Sequence, residues 1–154
     1  VKVASTFSGI IDPTDIWITG FRYIGPTGLG TTSDNSRVLN EFSCESSATV
    51  GSVVYIDPLN NNKVLVNLNN TIDYPSIGII EEKSSDTICS VLTHGKSNIT
   101  FSSLDRGKKV FLSLLGSLTT EASSLISGYR QVLGFSYSEN KIFVLPEMTR
   151  LKIS

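Results

Sequence analysis

The residues that most readily take part in catalysis are scarce, since the 154 residues include one histidine and two cysteines. The histidine, His94, lies in VLTHGKSN, where a strand end followed by a His-Gly turn is typical of ordinary structure. A histidine–metal cluster would need a second histidine. Activation of Cys89 by His94 would require both side chains in an exposed cleft. TICSV around Cys89 is typical of a buried strand, so we expect no nucleophilic site.

The acidic residues also lack the pattern of a reaction centre. Glu81 and Glu82 are adjacent, and adjacent residues of a strand point to opposite faces, so they cannot form a close acid–base pair. DPLNNN (57–62) offers oxygen ligands without the spacing of a calcium loop. GPTGLG (25–30) lacks the Lys-Ser/Thr and the helix of a phosphate loop. We therefore predict a non-enzymatic chain without catalytic, metal-binding or cofactor-binding residues.

Composition narrows the classes of partner. Hydrophobic residues make up 40% of the chain, enough for a core, and charged residues make up only 18%. The formal net charge of -1 disfavours a general nucleic-acid binder, which needs a basic stripe. The densest basic cluster, RGKK (106–109), follows Asp105 and is typical of a solvated turn. Because no apolar run approaches the roughly 20 residues that cross a bilayer, we expect no membrane partner.

The two cysteines, Cys44 and Cys89, are far apart in the sequence and form no CxxC pair, which disfavours a zinc site. A disulfide between them and two buried free thiols both fit the sequence. We expect the free thiols, because unpaired cysteine is among the most buried residue types.

The elements that would position any site are short β-strands separated by turn sequences. Helical periodicity is weak, and residues 119–133 hold at most one short helical turn. The predicted strands are rich in Val, Ile, Phe and Tyr, and they are DIWITGFRYI (15–24), SVVYI (52–56), KVLVNL (63–68), SIGII (76–80), TICSVL (87–92), NITF (98–101), KVFLSLL (109–115), RQVLGFSY (130–137) and KIFVL (141–145). Many short strands at close spacing predict a small antiparallel barrel or sandwich.

The chain divides into an N-terminal arm, residues 1–45, with one or two strands, and a β-barrel or sandwich body, residues 46–154. The arm contains the only tryptophan and a long polar loop, GPTGLGTTSDNS (25–36). Its aromatic residues could form a lid over the core of the body. If they are exposed, they mark a protein contact, and the predicted partner interface is Trp17, Phe21, Tyr23, Pro26 and Leu29.

The body contains an internal repeat. GSVVYID (51–57) and GKKVFLS (107–113) share the pattern G-x-x-V-aromatic-aliphatic-polar. Further on, IGI (77–79) matches LGF (133–135) at the same shift of 56 residues. A glycine within a strand suggests a bulge or bend, which curves a sheet towards closure.

The repeat extends to the closing strands. After a two-residue gap, TICSV (87–91) lies over KIFVL (141–145), so the two units cover about 51–92 and 107–146. Two copies of one curved unit can close a small barrel or stack into a sandwich. In this interpretation RGKK is a turn that leads into the first strand of the second unit.

The body also resembles a module of tailed-bacteriophage virion proteins over about residues 46–146. The resemblance is carried by VGSVVYID (50–57), IGII (77–80), GKKVFLS (107–113), GSLTT (116–120), QVLGF (131–135) and IFV (142–144). Similar modules occur in capsid decoration or cement proteins, head fibres and tail or fibre components. Residues 1–45 match no family.

The resemblance implies a non-enzymatic structural protein of the virion, assembled in the host cytoplasm. The first hypothesis is a capsid decoration or cement protein that binds the major capsid protein or other virion proteins and stabilises the head lattice. The alternative is a tail, fibre or adhesin component that contacts the host surface. A homo-oligomer is expected in both, with a trimer as the favoured form, because such proteins gain stability from repeated contacts on a lattice.

Overall fold

A computed structural model describes residues 36–68, 74–113, 116–122, 125 and 128–153. The chain divides into two compact units, Val1–Ser36 and Arg37–Ser154. The second unit thus begins at Arg37, whereas the sequence analysis placed the boundary after residue 45. Nearly all of the predicted arm, including the polar loop up to residue 35, lies outside the described residues, as do the predicted interface residues Trp17, Phe21, Tyr23, Pro26 and Leu29.

The described part of the chain is all-β, as predicted, and its antiparallel main sheet curls into a half-barrel. Nine strands form this sheet and two form a small second sheet. The strands are β1 (Val38–Ser43), β2 (Val53–Ile56), β3 (Val64–Val66), β4 (Ser76–Ser85), β5 (Ile88–Lys96), β6 (Lys109–Leu112), β7 (Leu118–Thr119), β8 (Gly128–Arg130), β9 (Val132–Ser138), β10 (Lys141–Val144) and β11 (Leu151–Ile153). Among the described residues, no helix has the length and apolar character to cross a membrane.

The order of strands in the main sheet shows the repeat directly. The order is β3-β2-β4-β5-β10-β9-β6-β7, and β1 pairs with β5 beside this path. We call β2–β5 the first repeat and β6, β7, β9 and β10 the second repeat. Each repeat has the same neighbours in the same order, and β5 joins β10 at the centre. The predicted construction from two similar β-units is confirmed.

The register of the strands agrees with the repeat. Gly78 pairs with Val54 in the first repeat, and Gly134 pairs with Val110 in the second. Each residue of the second pair lies 56 positions after its counterpart. A register shift follows at the same place in both repeats, between this pair and the next one. The duplicated pattern therefore extends to the β-bulge.

The two bulge glycines are required by close backbone contact. A Cβ added to Gly78 would overlap the carbonyl oxygen of Leu92, and one added to Gly134 would overlap the carbonyl oxygen of Phe143. Gly134 also has a φ of +147°, which a residue with a side chain rarely adopts. Both glycines thus allow β4 or β9 to approach the closing strand of its own repeat.

The closing strands correct one detail of the predicted alignment. Val91 pairs with Ile80, and Ile142 pairs with Ser136, which lies 56 residues after Ile80. Ile142 therefore corresponds to Val91, so the prediction that laid Ile88 over Ile142 is wrong. The reason is that β4 continues beyond its predicted end, which makes the hairpin of the first repeat longer.

Two further segments differ from the predicted strands. Residues 98–101 form a loop, in which Ile99 and Phe101 pack against the core without joining the sheet. Residues 82–85, predicted as a turn, continue β4. At the C-terminal end, β11 pairs with β8.

Two hydrophobic cores lie on opposite faces of the first repeat. The main core contains buried residues of both repeats, namely Val53, Ile79, Leu92, Leu104, Val110, Leu112, Leu133, Ile142 and Val144. The second core lies between the first repeat and the residues that precede it, and it contains Cys44, Ala48, Val54, Val64, Ile80, Cys89 and Val91. The first repeat is therefore buried on both faces.

Candidate interaction surface

The histidine and the cysteines have structural surroundings. His94 packs edge-on against Phe143, with ring centroids 5.2 Å apart. Cys89 lies fully buried in the second core. Cys44 and Cys89 are both free and buried, as expected. Burial, with a hydrogen bond to Cys44, raises the pKa of the Cys89 thiol to about 12, so this thiol is a poor nucleophile.

Glu81 is a structural residue that accepts several hydrogen bonds. Its side chain is 6% exposed and accepts hydrogen bonds from Arg37 Nη2 at 2.7 Å, Ser97 Oγ at 3.0 Å and the Asn98 backbone amide at 2.6 Å. Such charge-assisted bonds fix β4 to the residues beside β1 and after β5. Glu82 is exposed, in agreement with the prediction that the two carboxylates do not form a pair.

Asp57 stabilises its own turn, as expected for aspartate in a turn sequence. Its carboxylate accepts hydrogen bonds from the Leu59 amide and from Asn60 Nδ2, both at 2.8 Å. These bonds, led by the one from Asn60, and the nearby Lys63 lower the pKa of Asp57. Within the described ranges, no group of three or more His, Cys, Asp or Glu residues could hold a metal ion.

The RGKK cluster is a solvated turn. Lys108 Nζ lies 3.2 Å from Asp105 and Arg106 Nη2 lies 3.3 Å from Glu139, and all four side chains are more than half exposed. Ion pairs between side chains as exposed as these contribute little to stability. Lys109 differs from its neighbours because it begins β6 and pairs with Phe135 of β9.

A row of cationic and aromatic side chains runs from the end of β5 across the second repeat, and it is exposed at Lys96, Phe135 and Lys109 and half-buried at Phe143. The row is Lys96 on β5, Phe143 on β10, Phe135 on β9 and Lys109 on β6, and each residue pairs in register with the next. We call these four residues the outer row. The two phenylalanine rings stack with centroids 5.2 Å apart and an interplanar angle of 9°.

The outer row faces away from the main core because the alternating residues of the same strands supply that core. Val110 and Ile142 point into that core, so Lys109 and Phe143 point away from it. Phe135 is 41% exposed and Tyr137, further along β9, is 36% exposed. Lys96 Nζ lies 5.3 Å from the centroid of the Tyr137 ring, within the range of a cation–π contact. The surface is thus apolar at its centre and cationic at both ends.

A shallow cleft of about 250 Å³ adjoins one end of the outer row. Its lining includes Lys109 together with Phe111, Val132, Arg130 and Glu147. Phe111 and Val132 are a register pair of the same two strands, separated from the pair of Lys109 and Phe135 by the pair of Val110 and Gly134. Because Lys109 belongs to both features, the outer row and the cleft form one continuous surface.

The corresponding place in the first repeat is filled by an aromatic ring. Tyr55 corresponds to Phe111. The ring of Tyr74 stacks on the ring of Tyr55, with centroids 5.9 Å apart and an interplanar angle of 2°. Arg130 lies 56 positions after Tyr74. The second repeat thus has a cationic cleft where the first has stacked tyrosines.

Gln131 is a buried structural residue that the sequence analysis missed. Its Oε1 accepts a hydrogen bond from the Ser76 amide at 2.8 Å, and its Nε2 donates to the carbonyl oxygens of Ser76 at 2.9 Å and Glu147 at 2.7 Å. The side-chain amide of Gln131 thus makes the hydrogen bonds to Ser76 that a neighbouring strand would otherwise make, and it joins the two repeats. The signal in the sequence is a glutamine directly before an apolar strand, VLGF.

The comparisons with known proteins add no relative. No protein-family model matches the chain, and a search of curated proteins finds no significant match. The virion resemblance therefore depends on the residues quoted above.

Proposed function

We propose that this chain is a non-enzymatic structural protein of a tailed-bacteriophage virion, acting as a capsid decoration or cement protein that binds and stabilises the head lattice. The observation that carries the proposal is the outer row, in which the exposed Phe135 stacks on the half-buried Phe143 between two exposed lysines. Exposed aromatic side chains at the centre of a surface are typical of protein contacts.

The use of the polar residues supports a binding role. Glu81 and Asp57 hold neighbouring chain segments, and Cys89 is buried with a raised pKa. The segments that carry the virion resemblance contribute β2, β4, β6, β7, β9 and β10, six of the eight strands of the two repeats. A rigid module of this kind stabilises a lattice by mass action when many copies bind.

The test is co-sedimentation of the purified chain with empty heads from a phage mutant that lacks its gene. We expect saturable binding, and we expect the bound heads to resist heat better than bare heads. The chain should also be a homo-oligomer by light scattering, with a trimer as the expected form. Absence of binding, together with mutant heads as heat-stable as wild-type heads, would exclude a decoration role.

A tail, fibre or adhesin role is the alternative, favoured by the exposed Phe135 ring of the outer row, since an exposed aromatic ring also suits a host surface. The same purified chain would then bind host cells and leave empty heads in the supernatant. Deletion of the gene would reduce adsorption of the phage and leave the head unchanged.

A further inference from the structure

The outer row has a buried counterpart in the first repeat. Lys109 and Phe135 lie 56 positions after Val53 and Ile79. Val53 and Ile79 are register partners, as are Lys109 and Phe135. Val53 is 1% exposed and Ile79 is fully buried.

The counterparts are buried because another β-unit covers them. Val53 and Ile79 lie in the main core with Val110 and Ile142, which belong to the second repeat. This face of a repeat is therefore a contact face in the first copy. In the second copy the same face is exposed at Phe135.

The charges of the outer row indicate what would cover it. Lys96 and Lys109 stand at its two ends, and His94 packs beside Phe143. Among the described residues, the one carboxylate that lines the adjoining cleft is Glu147. Val53 of the first repeat contacts an apolar core, whereas its counterpart in the second repeat is the cationic Lys109. A partner that covers the second repeat therefore needs a carboxylate opposite Lys109.

We propose that the outer row binds a partner protein whose contact surface places aspartate or glutamate side chains around an apolar centre. This inference rests on the proposed structural role and names the chemistry of the partner. A second copy seated on the same row by two-fold symmetry would place lysines against lysines. A single-stranded nucleic acid would need a continuous basic groove along its backbone, and the outer row has a lysine only at each end.

The first experiment uses empty heads as the probe. Lys96→Glu/Lys109→Glu is compared with Lys152→Glu, a control that removes one exposed lysine from the small second sheet. We expect the double variant to bind heads at least tenfold more weakly and the control to bind like wild type. Equal binding of all three chains would overturn the inference and leave the proposed function intact.

The second experiment is independent of the virion. Two designed β-hairpin peptides present valine and leucine at the centre of one face, with glutamate at its ends in one peptide and lysine in the other. In NMR titrations of the full chain, we expect the glutamate hairpin to shift the amide signals of residues 94–96, 135–137 and 143. The Lys96→Glu/Lys109→Glu chain should prefer the lysine hairpin.

The remaining outcomes also decide the matter. Identical shifts with both hairpins, or no shifts with either, would overturn the charge-matched partner. Sedimentation velocity of Phe135→Ser/Phe143→Ser would show whether the row joins copies of this chain, and dissociation of an oligomer by this variant would overturn the inference. Tight binding of a single-stranded oligonucleotide to the row would do the same. If the wild-type chain does not bind heads and still binds the glutamate hairpin, the inference stands and the decoration role fails.

Discussion

The two repeats share a backbone pattern and differ in what covers them. Gly78 and Gly134 occupy the same place in the same bulge. Ile79, directly after the first glycine, is fully buried, whereas Phe135, directly after the second, is 41% exposed. The close backbone contact allows only glycine at the first of these positions. The position after it can hold either a core residue or a surface residue. A duplicated unit can thus keep its fold and give one copy a new surface.

The largest expected effect tests the shared part of the repeats. Gly134→Ala would place a Cβ on the carbonyl oxygen of Phe143 at a φ of +147°, and Gly78→Ala would meet that of Leu92. We expect each change to lower the free energy of unfolding by more than about 4 kcal/mol, since backbone must move. Urea denaturation followed by circular dichroism measures the loss.

Gly107→Ala is the matched control, because an added Cβ meets nothing within 4 Å there and only its φ of +82° is unfavourable. It should cost about 1–2 kcal/mol. A loss at Gly134 no larger than at Gly107 would contradict the close backbone contact.

The next effect separates the two repeats. Ile79→Ala leaves a cavity in the main core and should cost about 2–5 kcal/mol. Phe135→Ala removes an exposed side chain at the equivalent position and should cost about 1 kcal/mol or less, mostly from its contact with Phe143. Thermal or urea unfolding of the two variants gives both values. Equal losses would mean that Phe135 is as deeply packed as Ile79.

Removal of the Gln131 side chain, which joins the two repeats, should have an intermediate effect on the free energy of unfolding. Gln131→Ala leaves the buried amide and carbonyl of Ser76 without this partner, and we expect a loss of about 1–3 kcal/mol. Thr49→Ala, which breaks an exposed contact with Ser52, is the control and should stay within about 0.5 kcal/mol. If Gln131→Ala unfolds at the same urea concentration as the control, the link contributes nothing to stability.

The smallest effect concerns the second core and depends on pH. Because the pKa of Cys89 is raised in the folded chain to about 12, its contribution is complete below the pKa of the unfolded thiol and falls as pH rises above that value. With an unfolded thiol pKa near 8.5, stability should drop by about 1 kcal/mol between pH 7 and pH 9. The Cys89→Ala variant should lack this decrease in the free energy of unfolding with pH. In a separate labelling experiment, iodoacetamide should not modify Cys89 until the chain unfolds.

Much of the fold could be predicted from the sequence, because alternating apolar residues and paired glycines report local backbone geometry. The repeat from Gly51 to Gly78 and from Gly107 to Gly134 is an example. The end of β4 could not be predicted, because EEKSS (81–85) carries the polar composition of a turn and is a strand only through pairing with β5. Tertiary pairing here overrides local propensity.

The candidate surface was harder to predict. Phe135 and Ile79 are both apolar residues of an alternating strand, and alternation reports two faces without reporting which one is covered. The sequence analysis placed the partner interface at Trp17, Phe21, Tyr23, Pro26 and Leu29, which lie outside the described residues, so that prediction stays untested. The outer row became visible only when register placed Lys96, Phe143, Phe135 and Lys109 side by side.

The position of β5 has a consequence for how the molecule unfolds. Its residues 88–92 have neighbours on both edges, β1 and β4, and its last two residues pair with β10 of the second repeat. A repeat that opened alone would also disturb the pairing of the other, so the two should melt in a single cooperative transition. The amide hydrogens of β5 should then exchange with solvent slowest in this part of the chain, at a rate set by global unfolding.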